Sequence, residues 1–307
     1  MVLQISPYKL EFQTGGQFQE GCLIKVCDGS FFGAADLCPK PQFGDLDWRQ
    51  ELESKGSLFK RAYELALEDL SARKEKKSLQ SDLPVRNNIL ITDLEKFDFS
   101  KEDLSAQKTY KIKYSGEPAD FAKKLNAIFS GKSIKLRLDF NAKLKPLQFD
   151  SFLKQADASL LKSIDYIEDP TEFCEAWFEW NREVPIAADF QKPKNSFLLE
   201  KAKQELVFIF KPSRERPESD VNRFTITSAM DHPVGVAHAL RIAQKMFQND
   251  SGLLTLDLFK PTAFSGCFDR KEEWINFSKS NAAESGVGMT RELERLNWIY
   301  FDGKVTC

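Results

Sequence analysis

The stretch IKLRLDFN, residues 134–141, alternates apolar and polar side chains along its whole length. The apolar positions are Ile134, Leu136, Leu138 and Phe140, and the polar positions are Lys135, Arg137, Asp139 and Asn141. Successive side chains of a β-strand point to opposite faces, so the alternation predicts a strand with one apolar face. An antiparallel sheet with one solvated face would explain it. In a closed parallel barrel, the apolar stripe would pack on helices and the polar stripe would face the interior.

The sequence from about residue 88 onward favours the barrel. Short apolar segments alternate there with amphipathic helical patterns, such as those at 120–131 and 234–247. The predicted strands are NILITD (88–93), TYKIKYSG (109–116), IKLRLDFN, SIDYIEDP (163–170), PIAADF (185–190), ELVFIFKPS (205–213), RFTITSAM (223–230) and LLTLDLF (253–259). Eight strands with helical crossovers predict a (β/α) TIM-type barrel more readily than an open sheet.

The residues before the barrel form a different pattern. LQISPYKLEF (3–12) and GCLIKVCDG (21–29) are predicted strands joined by a turn containing Gly15 and Gly16, and residues 57–76 have helical spacing. This predicts an α+β unit ahead of the barrel. The last 45 or so residues contain Trp274, Trp298 and Tyr300 and are too apolar for a solvated tail, so we expect them to pack on that unit.

Composition excludes several classes of function. The 307-residue chain has a net charge of −2, so it lacks the basic excess of a general nucleic-acid binder. Its six cysteines show no CxxC spacing, which argues against a zinc site or a disulfide framework and fits reduced thiols in a cytoplasm. The start lacks a signal-peptide profile and no apolar run approaches a membrane span. We expect a soluble, cytoplasmic protein without membrane or nucleic-acid partners.

Charged or polar side chains occur at the carboxyl ends of successive predicted strands. In chain order they are Lys111 and Lys113, Asp139 and Asn141, Glu168 and Asp169, Asp189, and Lys211. From Lys113 onward the principal members are 26, 29, 21 and 22 residues apart, about one βα unit each. TIM-type barrels place their chemistry at that rim. Converging carboxylates suit a hard divalent ion such as Mg²⁺, and a lysine beside other cations can act as a base.

These segments resemble the enolase superfamily, specifically its muconate-lactonizing-like branch and, within it, the o-succinylbenzoate synthases. The resemblance rests on KIK (111–113), LRLDFN (136–141), YIEDP (166–170), IAAD (186–189) and IFKP (209–212), with GVGM (286–289) similar to a late Gly-rich phrase of the family. It implies a modified TIM-type barrel with an α+β capping domain. The expected boundaries are 1–86 for the capping domain, 87–260 for the barrel and 261–307 for a segment returning to the cap.

The resemblance also implies roles for individual residues. The expected metal ligands for Mg²⁺ are Asp139, Glu168 and Asp189. Lys113 would remove the α-proton of a small carboxylate, 2-succinyl-6-hydroxy-2,4-cyclohexadiene-1-carboxylate, and return a proton to the departing hydroxide. Lys211 would stabilise the anionic intermediate from the other face, and Lys111 would keep the pKa of Lys113 low. The expected substrate contacts are Arg137, Asn141, Gly15, Gly16, Gln17 and Ser228.

The sequence departs from the family pattern at a few positions. Phe190 follows Asp189 where the family usually has Glu, which removes an expected partner of Lys211, and IEDP replaces the more usual IEEP. His232 is interpreted as a helix-start residue rather than a base. Two alternatives stay open: a racemase or epimerase of N-acylamino acids or dipeptides on the same scaffold, and a non-catalytic barrel. The oligomeric state is left open, a monomer included.

Overall fold

The computed structural model describes residues 1–102, 104, 108–246 and 250–302. The strands are β1 Val2–Glu11, β2 Phe18–Asp28, β3 Phe31–Leu37, β4 Val85–Arg86, β5 Ile89–Ile91, β6 Thr109–Lys113, β7 Lys135–Asp139, β8 Ile164–Glu168, β9 Ile186–Ala188, β10 Val207–Phe210, β11 Arg223–Ile226, β12 Phe268–Lys271, β13 Trp274–Phe277 and β14 Ile299–Tyr300. The helices are α1 Trp48–Ser54, α2 Ser57–Lys74, α3 Pro118–Phe129, α4 Pro146–Gln155, α5 Ala158–Ser163, α6 Ala176–Trp180, α7 Ser196–Glu205, α8 Pro233–Met246, α9 Lys279–Ala282 and α10 Thr290–Glu294. Short 3-10 helices span Pro41–Phe43, Phe99–Lys101, Leu254–Leu258 and Ser265–Cys267.

A seven-stranded sheet in the order β11-β10-β9-β8-β7-β6-β5 forms the barrel portion. Neighbouring strands from β5 to β10 pair in parallel, with crossovers that contain the helices α3 to α7. Together with the antiparallel sheet described below, it confirms the predicted class, a modified (β/α) TIM-type barrel with an α+β capping domain.

The opening stretch occupies the middle of this sheet as β7. Its apolar residues Leu136, Leu138 and Phe140 are fully buried, and the Phe140 ring packs edge-on against Phe121 of α3 and Phe149 of α4. The polar residues point to the opposite face, where Arg137 and Asp139 are buried and do not face bulk water. Lys135 at the start of the strand is exposed, and Asn141 just after its end is partly buried.

The predicted eighth strand at 253–259 is wrong, because Leu254–Leu258 is a 3-10 helix. Two residues just before it make isolated parallel bridges instead, Ser251 to Asn87 and Gly252 to Thr227. The side-chain oxygen of Asn87 accepts the amide of Leu253 at 2.8 Å. A side chain therefore takes the hydrogen bond that a strand neighbour would otherwise accept, and the extended backbone ends there.

The chain divides into two compact units. The first comprises Met1–Asn87, Phe210–Pro217 and Ile226–Cys307, and the second comprises Asn88–Ile209 and Glu218–Thr225. The first unit contains two antiparallel sheets, β14-β1-β2-β3 and β12-β13-β4. Strands β1 and β2 and helix α2 correspond to predicted elements, whereas β3 was not predicted.

A hydrophobic core lies between the four-stranded sheet and α2 in the first unit. It is built from Ile24 and Val26 of β2, Ala35 of β3, and Leu65 and Leu70 of α2, with other apolar residues around them. The Gly-rich phrase at 286–289 is bonded to the same helix: the carboxylate of the buried Asp69 accepts the Val287 amide at 2.7 Å, and Arg73 donates to the Gly288 carbonyl at 2.6 Å. The returning segment is thus tied to α2 by buried polar groups.

Candidate active site

The register of the parallel sheet places the charged residues in two layers on its concave face. One layer contains Lys113 of β6 opposite Asp139 of β7, which in turn lies opposite Glu168 of β8. The layer below contains Lys111, Arg137 and Tyr166 in the same order of strands. Residues two apart on a strand share a face, so all six side chains point to one side of the sheet.

The Lys111 side chain extends from the lower layer, so two lysine ammoniums and two carboxylates come together at the upper one. Lys111 Nζ lies 2.8 and 2.7 Å from the two oxygens of Glu168 and 3.1 Å from Asp139 Oδ2. Lys113 Nζ lies 2.8 Å from the same Asp139 oxygen. Both carboxylates are 3% exposed and Lys111 is 13% exposed, whereas 40% of the Lys113 side chain is accessible. Of these two lysines, Lys113 is therefore the more accessible to solvent.

These contacts fix the charge states of the cluster. Burial lowers the pKa of Lys111, but the carboxylates of Asp139 and Glu168 outweigh that effect and hold it well above its ordinary value. Burial likewise raises the pKa of Asp139, but the Lys111 and Lys113 ammoniums lower it far below the usual range of an aspartate. Both groups are thus charged.

Asp169 was predicted to lie at a strand end, but the sequence did not indicate its role in holding the backbone near the site. Its two carboxylate oxygens accept the amides of Asp189 and Phe190, each at 2.9 Å, and its carbonyl accepts the Ala142 amide at 2.7 Å. Asp169 has a φ of +41°, an uncommon conformation for a non-glycine residue, and it is buried. It therefore fixes the backbone that carries Asp189 immediately after β9. A sequence signal existed, since Asp169 directly follows Glu168 where the family usually has the longer Glu.

Arg137 is occupied by interactions within the lower layer. Its Nε donates to Asp165 at 2.9 Å, another guanidinium nitrogen lies 3.3 Å from the Asn88 side-chain oxygen, and the guanidinium stacks 4.8 Å from the centre of the Tyr166 ring. Asn141 follows β7 in a left-handed conformation, and its amide donates to Asp139 Oδ1 at 3.2 Å. Their roles in substrate binding stay predictions.

The other predicted site residues belong to the first unit. Lys211 directly follows β10, is 7% exposed, and accepts the amides of Arg214 and Glu215 at its carbonyl. Ser228 is buried, donating to Asp231 at 3.2 Å and lying 2.8 Å from the Thr255 hydroxyl. Gly15, Gly16 and Gln17 form the exposed turn between β1 and β2, with positive φ at both glycines.

His232 lies where it was predicted, immediately before α8, and is not available as a base. Its Nδ1 accepts the Val234 amide at 3.2 Å, and its ring packs against Tyr8 and Phe264 with centres 4.7 Å away. Burial lowers the pKa of His232 to about 3. The imidazole is therefore neutral at ordinary pH and serves the packing of the first unit.

One group of three possible ligands in the described part of the chain brings an atom of each within 4.8 Å of the others, namely Asp36, Cys38 and Asp231 of the first unit. These side chains already have partners: Tyr8 donates to Asp36 at 2.6 Å, and Ser213 donates to Asp231 at 3.0 Å. Burial raises the pKa of the Cys38 thiol to about 12, so it is protonated and a poor ligand.

The second unit fits a hard dication better. Its donors are the ionised carboxylates of Asp139 and Glu168, and they already surround a positive charge, the Lys111 ammonium, with Asp189 adding a further negative charge acting on it. Oxygen donors of this kind are those that Mg²⁺ prefers.

Two further features are the state of the cysteines and the character of the helices. Cysteines 22, 27, 38, 174 and 267 are free thiols in the structure. None of the described helices combines the length and the apolar character that crossing a bilayer requires.

No family model matches the chain. A curated o-succinylbenzoate synthase from Bdellovibrio bacteriovorus is 28% identical over 328 residues, which covers 96% of this chain and 97% of that protein. A similar fold is found in a putative mandelate racemase/muconate lactonizing enzyme from Roseovarius nubinhibens complexed with magnesium, with a TM-score of 0.76, 13% identity and coverage of 97% and 98%.

Two further solved structures have a similar fold. An o-succinylbenzoate synthase from Thermosynechococcus elongatus complexed with Mg has a TM-score of 0.68 at 14% identity, covering 85% of this chain and 95% of that one. A substrate-liganded L-Ala-D/L-Glu epimerase from Bacillus subtilis has a TM-score of 0.70 at 16% identity, covering 94% and 98%. The predicted resemblance is thereby confirmed: the chain is an enzyme similar to the enolase superfamily in its muconate-lactonizing-like branch, and it is similar in sequence to an o-succinylbenzoate synthase over nearly its whole length.

Proposed function

We propose that the protein is an o-succinylbenzoate synthase that acts in menaquinone biosynthesis. The reaction is the Mg²⁺-dependent syn-dehydration of 2-succinyl-6-hydroxy-2,4-cyclohexadiene-1-carboxylate to 2-succinylbenzoate, catalysed by a carbon-oxygen lyase. The observation that carries the proposal is the cluster of Lys111, Lys113, Asp139 and Glu168, whose charged atoms lie 2.7–3.1 Å apart. The similarity to a curated o-succinylbenzoate synthase over 96% of the chain supports it.

In this proposal the chain's own residues divide the work. Asp139, Glu168 and Asp189 would hold the cation, which when bound would supply positive charge beside the substrate carboxylate as the α-proton leaves. Lys113, with its accessible side chain, removes that proton and then protonates the departing hydroxide on the same face. Lys211 supplies a second ammonium to the anionic intermediate. Lys111 keeps a positive charge beside the carboxylates.

Replacing the proposed base tests this assignment. We expect Lys113→Ala to lower turnover of the cyclohexadiene substrate by a factor on the order of 10² to 10⁴, the usual contribution of a positioned base, while Mg²⁺ still binds. The measurement is a steady-state assay of 2-succinylbenzoate formation with and without EDTA, paired with calorimetric titration of Mg²⁺. Lys123→Ala, at an exposed position on α3, is the matched control and should keep wild-type turnover. Full activity of Lys113→Ala would exclude the assignment.

The second candidate is epimerisation of a dipeptide or racemisation of an N-acylamino acid. The fold shared with the L-Ala-D/L-Glu epimerase favours this candidate, since the same amines can exchange an α-proton without elimination. Incubation in deuterated water with L-Ala-L-Glu and with N-succinyl amino acids separates the two: the dehydratase proposal expects no exchange at the α-carbon. A non-catalytic barrel, suggested by Phe190, would show neither reaction and no binding of Mg²⁺.

A further inference from the structure

The hydroxyl of Tyr166 is a buried polar group without a hydrogen-bond partner among the described residues. The residue is 1% exposed, and its ring packs with Ala187, Val207 and Ile209 while the Arg137 guanidinium covers its face. The ring therefore makes packing contacts, whereas the hydroxyl oxygen makes no hydrogen bond among the described residues. Native proteins leave few buried hydroxyls unpaired, because such a group has lost its water without gaining a partner.

Tyr166 lies directly below the charged cluster. It precedes Glu168 by two residues on β8, so the two side chains share a face. Tyr166 lies opposite Arg137 of β7, which in turn lies opposite Lys111 of β6, so all three belong to the lower layer. The Lys111 side chain starts in that lower layer and reaches across β7 to the Glu168 carboxylate. The hydroxyl of a tyrosine can accept a hydrogen bond as well as donate one, and that of Tyr166 does neither among the described residues.

Lys111 and a bound dication would compete for the same oxygens. The ammonium now takes both oxygens of Glu168 and one of Asp139. A cation coordinated by these carboxylates would repel the ammonium and remove its acceptors. An ammonium has three donors and no acceptor, and leaving one unpaired in a buried site is costly. The flexible stem of lysine lets the ammonium move to another acceptor nearby.

We propose that the Tyr166 hydroxyl is the acceptor to which the Lys111 ammonium moves when a divalent cation takes the Asp139 and Glu168 carboxylates. Tyr166 is thus a positioning residue: it acts on metal binding through Lys111. This inference rests on the proposed function, because it requires that a cation bind between those carboxylates. It assigns a use to a buried hydroxyl that has no hydrogen-bond partner among the described residues.

The variant Tyr166→Phe tests the proposal because it removes the hydroxyl and keeps the ring. In the metal-free protein we expect an unchanged or higher melting temperature, since no hydrogen bond is lost. We expect the dissociation constant for Mg²⁺, measured by calorimetry, to rise roughly tenfold or more, the equivalent of one hydrogen bond to a charged group.

Tyr110→Phe is the matched control. Tyr110 is equally buried on β6, and its hydroxyl already donates to Glu102 at 3.1 Å on the face opposite to Lys111. This variant should lose stability and keep the wild-type affinity for Mg²⁺. In a Lys111→Met background, Tyr166→Phe should no longer change that affinity, because the ammonium that needs the hydroxyl is gone.

The outcomes are distinct for the two proposals. Absence of Mg²⁺ binding by the wild-type protein would overturn the proposed function. Wild-type binding with an unchanged dissociation constant in Tyr166→Phe would overturn this inference and leave the function standing. A loss of metal-free stability in Tyr166→Phe as large as that in Tyr110→Phe would show that the hydroxyl already has a partner, and would also overturn the inference.

Discussion

At the scale of single residues, both histidines of the chain are buried as neutral imidazoles. Each accepts an N–H at Nδ1, from the Val234 amide in His232 and from the Arg241 guanidinium in His238, so the proton of each neutral ring is on Nε2. In His238 that nitrogen donates to the Ala34 carbonyl at 2.9 Å. Adding a second proton would break the Nδ1 bond and bury a charge, and burial accordingly lowers the pKa of both rings.

A pH dependence of stability follows. The folded pKa of His232, about 3, lies below the ordinary value of 6.5, so the unfolded chain binds more protons than the folded one between these values. Because of this ring, we expect the free energy of unfolding to fall by about 1.4 kcal/mol for each unit by which the pH drops below 6.5. Urea unfolding between about pH 6.5 and 5 should show a shallower slope for His232→Asn, which keeps a polar helix-start residue. Equal slopes for the two proteins would contradict the prediction.

At the scale of elements, strand β3 and helix α2 of the first unit approach each other closely at Gly33. A Cβ built on Gly33 of β3 would lie 2.0 Å from the Ala66 carbonyl oxygen and 2.3 Å from the Leu70 amide nitrogen, both backbone atoms of the helix. A side chain of any size would force the helix away from the sheet and open the core beneath it. Glycine is required here by distance rather than by backbone conformation.

We therefore expect Gly33→Ala to reduce the free energy of unfolding by about 3 kcal/mol or more, at the upper end of the overpacking range. Gly266→Ala is the control, because a Cβ there meets no atom within 4 Å, and it should change stability by less than about 0.5 kcal/mol. Chemical denaturation of the two variants provides the comparison. Similar midpoints for both would mean that α2 shifts freely along the sheet.

Features set by the residues of a single strand could be predicted from the sequence, whereas contacts between residues far apart in the chain could not. The alternation in IKLRLDFN predicted β7, and the charged strand ends predicted that Lys111, Asp139 and Glu168 lie at one edge of the sheet, where the parallel register brings them together. The ion pairs of Lys111 with the two carboxylates were not predicted. The prediction of the eighth strand was wrong because the Leu253 amide donates its hydrogen bond to a side chain distant in sequence, that of Asn87. The backbone role of Asp169 and the lower-layer partners of Arg137 were missed because they depend on contacts between strands, which no spacing along one strand reveals.

At the scale of the whole molecule, two groups of carboxylates among the described residues could bind a cation and so change the stability of the fold. One is the Asp139–Glu168 pair of the second unit, which holds the Lys111 ammonium. The other is the buried group of Asp36, Cys38 and Asp231 in the first unit. A ligand that binds only the folded state stabilises it by mass action, so the melting temperature reports which place is used.

We expect Mg²⁺ to raise the melting temperature reversibly, with EDTA restoring the metal-free value. At a concentration 100 times its dissociation constant, the gain is about 2.7 kcal/mol. The shift should vanish in Asp139→Asn, which removes a ligand charge, and persist in Asp231→Asn, each measured against its own metal-free protein. The reverse pattern would place the cation in the first unit, where the Cys38 thiol is protonated and the carboxylates are already bonded. The carboxylates of the barrel would then be left to pair with lysines alone, and the proposed chemistry would lose its metal.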